Sequence, residues 1–420
     1  MWILTKGSVM PPVLKRLLLA LIACGALLGG GACKGGALPI PPPPTFTAAT
    51  GTSSSSATTT ATATETRATP ETQTATSTAA APVGLNIETD RPAISFPDKI
   101  TFSLAVTSAD PVTAVNLVYG SDKRSLVPET NSITPTFSAG TTVNATWSWD
   151  MKKLGSVPPG ATVWWYWEVT DSSGKTTETQ RRTVAWADTR FQWSTRTMTS
   201  MDVYWHDQLQ SLIDTLISEI NSRLSRLQLN VAIPADRKPK IMIYRSSEEL
   251  KDAMLHEQEW TGAVAFTEYN IILTALDSSI LEWAKAALPH EITHLMVAEA
   301  VFGPFGDVPN WLNEGLAEYG GGGIPAYEQE ALDDAVQNST LISLRSLSSS
   351  FPADAAGAYL AYAESASVVQ YLIDNHGWEK MRALLATFKD GATYDSALKS
   401  VYSFDMAGLE AAWKASIGAR

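Results

Sequence analysis

His290-Glu291-Ile292-Thr293-His294 places two imidazoles and a carboxylate at a spacing that suits a metal ion. Residues four apart lie on one face of a helix, so both histidines can turn toward one ion. Glu291 projects beside that face, where it can take a proton from a water activated by the metal. The chain has only five histidines, and random placement of so few would give this pattern with a probability of roughly one per cent or less. A catalytic zinc takes three protein ligands and leaves a fourth position for water, so a third donor is required. Downstream stands Pro309-Asn310-Trp311-Leu312-Asn313-Glu314-Gly315-Leu316-Ala317-Glu318-Tyr319, and Glu314 is the candidate there. Residues 295–313 suffice to finish one helix, turn through Gly303, Pro304 and Gly306, and start another at Asn310. Glu318 sits one helical turn beyond Glu314 on the same face, placed to accept a hydrogen bond from the free nitrogen of a ligating histidine.

The two motifs together resemble the gluzincin metallopeptidases, the group that includes thermolysin and the aminopeptidase N-like enzymes, and especially the bacterial peptidase MA-like domains. The resemblance covers roughly residues 190–417. It implies one zinc ion per chain on His290, His294 and Glu314, with Glu291 as general base and Glu318 as the acid supporting a ligand. It also implies a tyrosine or histidine that stabilises the oxyanion, for which Tyr362 in Ala361-Tyr362-Ala363-Glu364-Ser365 is the candidate. The interval from His294 to Glu314 is one residue longer than in aminopeptidase N-like enzymes, an insertion a surface turn can absorb. Those enzymes carry Gly-Ala-Met-Glu-Asn shortly before the zinc helix, on a strand where its glutamate holds the substrate's free amine. The corresponding place here reads Gly262-Ala263-Val264-Ala265-Phe266. Alanine cannot pair with an ammonium group, so the resemblance implies an endopeptidase acting on peptide or protein rather than an aminopeptidase. Backbone pairing with an extended peptide survives the change.

Composition divides the chain before any motif is needed. Lys15 and Arg16 precede an apolar run over residues 17–28, a basic start followed by a core short for a membrane span. Residues 1–33 therefore read as an export signal. Both cysteines, Cys24 and Cys33, lie in or just after it, which points to lipid attachment at one of them, with a plain cleaved signal or an uncleaved anchor as the alternatives. Residues 34–82 hold Pro41-Pro42-Pro43-Pro44 and then Thr, Ser and Ala with almost no large apolar side chain. Such a stretch cannot bury enough surface to fold; as a tether its ends would lie on the order of 40 Å apart. These features predict an exported protein of a bacterial cell envelope, either a surface lipoprotein or secreted, tied to the membrane through its N-terminus. A net charge of −12 without a basic cluster gives no support for nucleic-acid binding.

Residues 83–187 show short alternating strands separated by turns at Asp110-Pro111, Pro158-Pro159-Gly160 and Ser173-Gly174. About seven strands in a hundred residues predict an all-β immunoglobulin-like or fibronectin-like sandwich. Alternation puts Val163, Trp165, Trp167 and Val169 on one face, leaving Trp164 and Tyr166 on the other. That pair would serve as a stacking platform for sugar or peptide, or pack against the neighbouring domain.

Residues 188–420 should form an α+β, mainly helical domain. An amphipathic helix is predicted within residues 203–228, a strand at Lys240-Ile241-Met242-Ile243-Tyr244, a short helix from Ser247, and two strands near residues 262–266 and 270–274. Pro289 should start or kink the helix of His290. Later helices are predicted over residues 359–375, 378–388 and 406–417, and Gly320-Gly321-Gly322-Gly323 reads as a helix terminator. His206, His256 and His376 lie outside any ligand spacing. One alternative remains: the sandwich could be an adhesive or glycan-binding module carrying an inactive zinc domain. The intact Glu291 argues against a dead site, because a purely structural metal does not need that base.

Overall fold

The structure is a computed structural model that describes residues 84–419, except 154–156, 208–209, 232–233, 235–236, 255–261 and 277–278. The signal and tether segments, Cys24, Cys33, Leu209 and His256 lie outside the described residues. The chain has a β-rich N-terminal part and a helical C-terminal part, and it divides into two compact units, one ending at Pro304 and one starting at Phe305. Among the described residues, no helix is long and apolar enough to cross a membrane.

In the first unit, the β-rich part has seven strands among the described residues: β1 (Leu85–Ser95), β2 (Lys99–Ser121), β3 (Asn131–Ile133), β4 (Gly140–Asp150), β5 (Thr162–Asp171), β6 (Thr176–Glu178) and β7 (Arg182–Ala185). They form one hydrogen-bonded sheet because β2 serves two groups of partners. Its first part pairs with β1 and β4, as Phe102 with Pro92 and Trp147, and its second part with β3 and β5, as Leu117 with Ile133 and Trp167. Along a straight strand the rings of Phe102 and Tyr119 would lie about 55 Å apart; their centroids are 6.3 Å apart. The strand therefore folds back near the pairing irregularities between Thr107 and Ala114, so that its two parts face each other across one core. Ile100, Phe102, Leu104, Val115, Leu117, Trp165 and Trp167 fill that core. Asp90 is buried in it and accepts hydrogen bonds from the indoles of Trp165 and Trp167 and from Arg182. Burial raises its carboxyl from the ordinary value in spite of these donors.

Alternation assigns β5 as predicted on its inner face, but its outer face differs from both expectations. Trp164 is only 8% exposed. It packs on Gly120, where a Cβ would come within 2.5 Å of the indole. Its Nε1 donates to the Ser121 carbonyl, and the Arg181 guanidinium covers the ring at 3.6 Å. Trp164 is thus covered within the β-rich region itself.

The same unit continues into a five-stranded sheet ordered β11-β12-β10-β9-β8, from β8 (Ser194–Thr197), β9 (Asp202–Trp205), β10 (Lys240–Tyr244), β11 (Ala263–Phe266) and β12 (Ile271–Ala275). The three central strands are parallel and the outer pairs antiparallel. Between β9 and β10 runs α1 (Gln210–Leu224), between β10 and β11 α2 (Ser247–Ala253), and after β12 comes α3 (Leu281–Val301). The helix expected within residues 203–228 is therefore shorter, because residues 203–205 form part of a buried strand; a short apolar run cannot be told from a helix segment by periodicity alone. Pro289 does not start α3 but lies inside it.

A central parallel sheet must be covered on both faces. Ile241, Ile243, Ala265 and Ile272 share one core with Ile213, Leu216 and Ile220 of α1 and Leu288, Ile292 and Leu295 of α3. Met242, Tyr244, Val264, Ile271 and Leu273 point the other way and join the core of the β-rich region. Polar links accompany this packing: Lys240 Nζ donates to the Gly160 carbonyl at 2.8 Å, and the Tyr244 hydroxyl to Asp188 at 3.2 Å. His206 is buried at the same junction, stacked on Phe191 at 3.9 Å and 3.0 Å from Glu249.

The second unit is helical: α4 (Asn310–Gly321), α5 (Ala326–Asn338), a single 3-10 turn at Ser346–Ser348, α6 (Ala355–Lys389), α7 (Tyr394–Tyr402) and α8 (Met406–Ser416). Gly377, at φ 78°, interrupts α6 between the two helices expected there. Gly322, at φ 118°, ends α4 with its N–H on the Glu318 and Tyr319 carbonyls, as expected of a glycine terminator. His376 packs beside Tyr402 in this unit.

Candidate metal centre

Every residue of α3 from Ala287 to Leu295 is buried, polar and apolar alike, so the middle of the helix is covered on every side. His290, Glu291, Thr293 and His294 are all buried, and the Thr293 hydroxyl donates to the Pro289 carbonyl at 2.7 Å, keeping that polar group inside the helix. The imidazole rings of His290 and His294 have centroids 4.8 Å apart at 81°, with the two Nε2 atoms 3.1 Å from each other.

On α4, Glu314 and Glu318 are also buried. The residue between them that matters most for placement is Gly315, whose Cβ would meet the Ser365 carbonyl oxygen at 2.3 Å and Val369 Cγ2 at 2.6 Å. Glycine lets α4 lie directly on the backbone of α6. One ligand atom from each of His290, His294 and Glu314 lies within 4.8 Å of the other two, the only such group of three His, Cys, Asp or Glu among the described residues. A catalytic zinc takes three such protein donors at about 2.0–2.2 Å. Two neutral imidazoles with one carboxylate is also a donor set that zinc accepts with a position left open. The residues fit the ion.

Tyr362 is buried in α6, edge-on to Phe351 at 5.2 Å. Sequence reasoning passed over Tyr327 on α5, which is 41% exposed, with its ring 5.0 Å from that of Tyr359. Partial burial, with the nearby Glu328 and Glu318 carboxylates, pushes its phenol above the usual range. No spacing rule ties residue 327 to Glu318, so its proximity could come only from the fold.

Glu364, two residues beyond Tyr362 and singled out by no spacing rule, is fully buried. Its Oε1 accepts the Ile342 N–H at 2.8 Å. Burial raises its carboxyl from 4.5 to about 8, partly opposed by the Ile342 hydrogen bond and Lys414. A carboxyl raised in the folded state adds stability that is complete below the unfolded value near 4.5 and is lost as pH rises through about 8. At roughly 1.4 kcal/mol per pH unit, the loss is on the order of 2–5 kcal/mol. Urea unfolding at pH 5 and pH 8.5 should therefore show a smaller pH difference for Glu364→Gln than for wild type; an equal difference would remove Glu364 as the cause.

Residues 221–419 match the family model described as the Peptidase MA superfamily. This part of the chain is similar to that superfamily. The matched region contains α3 and α4, and so both motifs. No curated protein matches the chain significantly. Among solved structures, part of the chain is similar to wild-type OgpA from Akkermansia muciniphila, with 14% identity over 24% of this chain and 27% of that one, at a TM-score of 0.21. The chain thus spans about a quarter of the length of OgpA. It is also similar to a bromine derivative of BhCBM56, with 8% identity over 23% of this chain and 88% of that one, at a TM-score of 0.17. A third, BC0361, a polysaccharide deacetylase from Bacillus cereus, shows 10% identity over 38% of this chain and 50% of that one, at 0.21. Likenesses this weak carry no weight for function; the Peptidase MA match and the site residues do.

Proposed function

We propose that the protein is an extracytoplasmic zinc-dependent peptidase that cuts within peptide or protein chains. The observation that carries this reading is the buried cluster of His290, His294 and Glu314, with Glu291 next to a ligand on the same helix. Zinc, when bound, would lower the pKa of a water to about 7 and polarise the scissile carbonyl. Glu291 accepts the proton of the attacking water on its carboxylate and delivers it to the nitrogen of the leaving amine. The Tyr362 hydroxyl donates to the oxyanion, and Glu318 orients a ligating histidine. β11, the outer strand of its sheet, offers backbone groups to an extended substrate. Ala265 on that strand is buried with Leu288 and Ile292, which leaves no carboxylate at that position for a free amine and favours internal cleavage. The β-rich part is assigned to the immunoglobulin-like class, and the N-terminal segment to export and lipid attachment at Cys24 or Cys33. An aromatic platform for glycan is disfavoured, because Arg181 covers Trp164.

Cleavage of a mixed peptide library by the mature protein, with and without a zinc chelator, tests this. Chelator-sensitive internal cuts are expected. Elemental analysis should find about one zinc per chain, falling at least tenfold in His294→Ala. Cleavage that persists in chelator, or zinc retained by His294→Ala, would sink the reading.

A further inference from the structure

We propose that Arg124, a residue of the β-rich region, is a positioning residue. It fixes the β11–β12 hairpin against the last turn of the helix that carries His290, Glu291 and His294. Its catalytic consequence rests on the peptidase reading.

Arg124 follows the end of β2 and makes contacts in two directions. Its backbone N–H donates to the Glu268 carbonyl at 2.8 Å, in the turn between β11 and β12. Arg237 Nη2 donates to the same carbonyl at 3.1 Å, and Ser121 Oγ lies 3.2 Å from the Tyr269 hydroxyl, so the turn is held from several sides. The Arg124 guanidinium meanwhile reaches α3. It pairs with Glu299 through both nitrogens, Nη2 standing 3.0 Å from Oε1 and Nη1 against Oε2. It also lies over the Phe302 ring, 3.5 Å from the centroid.

The partner chosen is informative. α3 has no basic residue in its last turn, while Glu299 puts a negative charge near its C-terminal end, where the helix dipole is already negative. A helix so arranged needs a cation from elsewhere, and Arg124 provides one in a two-point geometry that lysine cannot copy. Glu299 lies about 7.5 Å along the helix from His294. One residue, through its backbone N–H on the hairpin turn and its guanidinium on Glu299, therefore ties the strand proposed to pair with substrate to the helix proposed to hold the metal, and it comes from the region that covers the other face of the sheet. The β-rich region is then part of the catalytic scaffold rather than an appended module. Misplacing reacting groups by about 1 Å can cost on the order of a hundredfold in rate.

The test uses the full chain, with Arg124→Ala, Arg124→Lys and Glu299→Gln. Zinc should stay at the wild-type ratio in all three. In Arg124→Ala, kcat should fall about ten- to a hundredfold with a smaller change in KM, and Arg124→Lys should recover part of the loss. Hydrogen exchange should quicken in two places at once, the hairpin of residues 263–275 and the last turn of α3. Wild-type kcat in Arg124→Ala, or faster exchange confined to one of the two places, would overturn the proposal. If the wild type cuts no peptide, the functional reading fails, while the exchange measurement still decides whether Arg124 joins the two elements.

Discussion

Glu291→Gln is expected to lower peptide hydrolysis by about 10²- to 10⁴-fold while leaving the zinc content unchanged. The substitution keeps the size and shape of the side chain, and at a site as buried as this one shape has to be conserved for the helix to stay in place. What it removes is the carboxylate that can receive a proton, and a positioned general base contributes a factor of that size. The two readouts separate the roles on the helix. A histidine variant loses the ion and, with it, activity; the glutamine variant keeps the ion and loses activity alone. Hydrolysis at the wild-type rate in Glu291→Gln would show that another group takes the proton.

Gly315→Ala should destabilise the helical unit by about 3 kcal/mol, a cost at the upper end of that for overpacked cores. Two effects compete. Inside a helix, alanine is intrinsically better than glycine by roughly 1 kcal/mol. Against this, the added Cβ would sit 2.3 Å from the Ser365 carbonyl oxygen and 2.6 Å from a Val369 methyl. The first of these is backbone in the middle of a buried helix, so no rotamer change relieves it, and α4 and α6 must separate. A drop in melting temperature of roughly 10–15 °C is expected for a unit of this size, and zinc affinity should weaken as Glu314, the preceding residue, shifts. An alanine variant that melts at or above the wild-type temperature would mean that helix propensity outweighs the contact.

These two residues show how differently parts of the site could be read. Glu291 stands out because its significance is local: three side chains within five residues acquire a common direction from helical periodicity alone. Gly315 looks like an ordinary glycine in a helix until α6 is placed beside it. Tyr327, Glu364 and Arg124 are of the second kind, since each acquires its character from groups distant in sequence. The covering of Trp164 within the β-rich region, in place of a stacking platform or packing on a neighbouring domain, was illegible for the same reason. Alternation correctly separated the two faces of β5, but Gly120 and Arg181, which cover the outer one, come from other strands and turns. Residues 203–205 were assigned to a helix because a three-residue apolar run carries too little periodicity to choose between helix and strand.

The amino-acid sequence by itself determined the paired motifs, the succession of a β-rich N-terminal part and a helical C-terminal part, the terminator at Gly322 and the break at Gly377. All of these depend on residues a few positions apart, where backbone geometry fixes which side chains share a face. Only the tertiary structure decided that β2 folds back on itself and that the β-rich region covers one face of the five-stranded sheet. Those are encounters between distant segments, set by which apolar faces can bury one another, and periodicity along the chain says which face is apolar but not what will cover it.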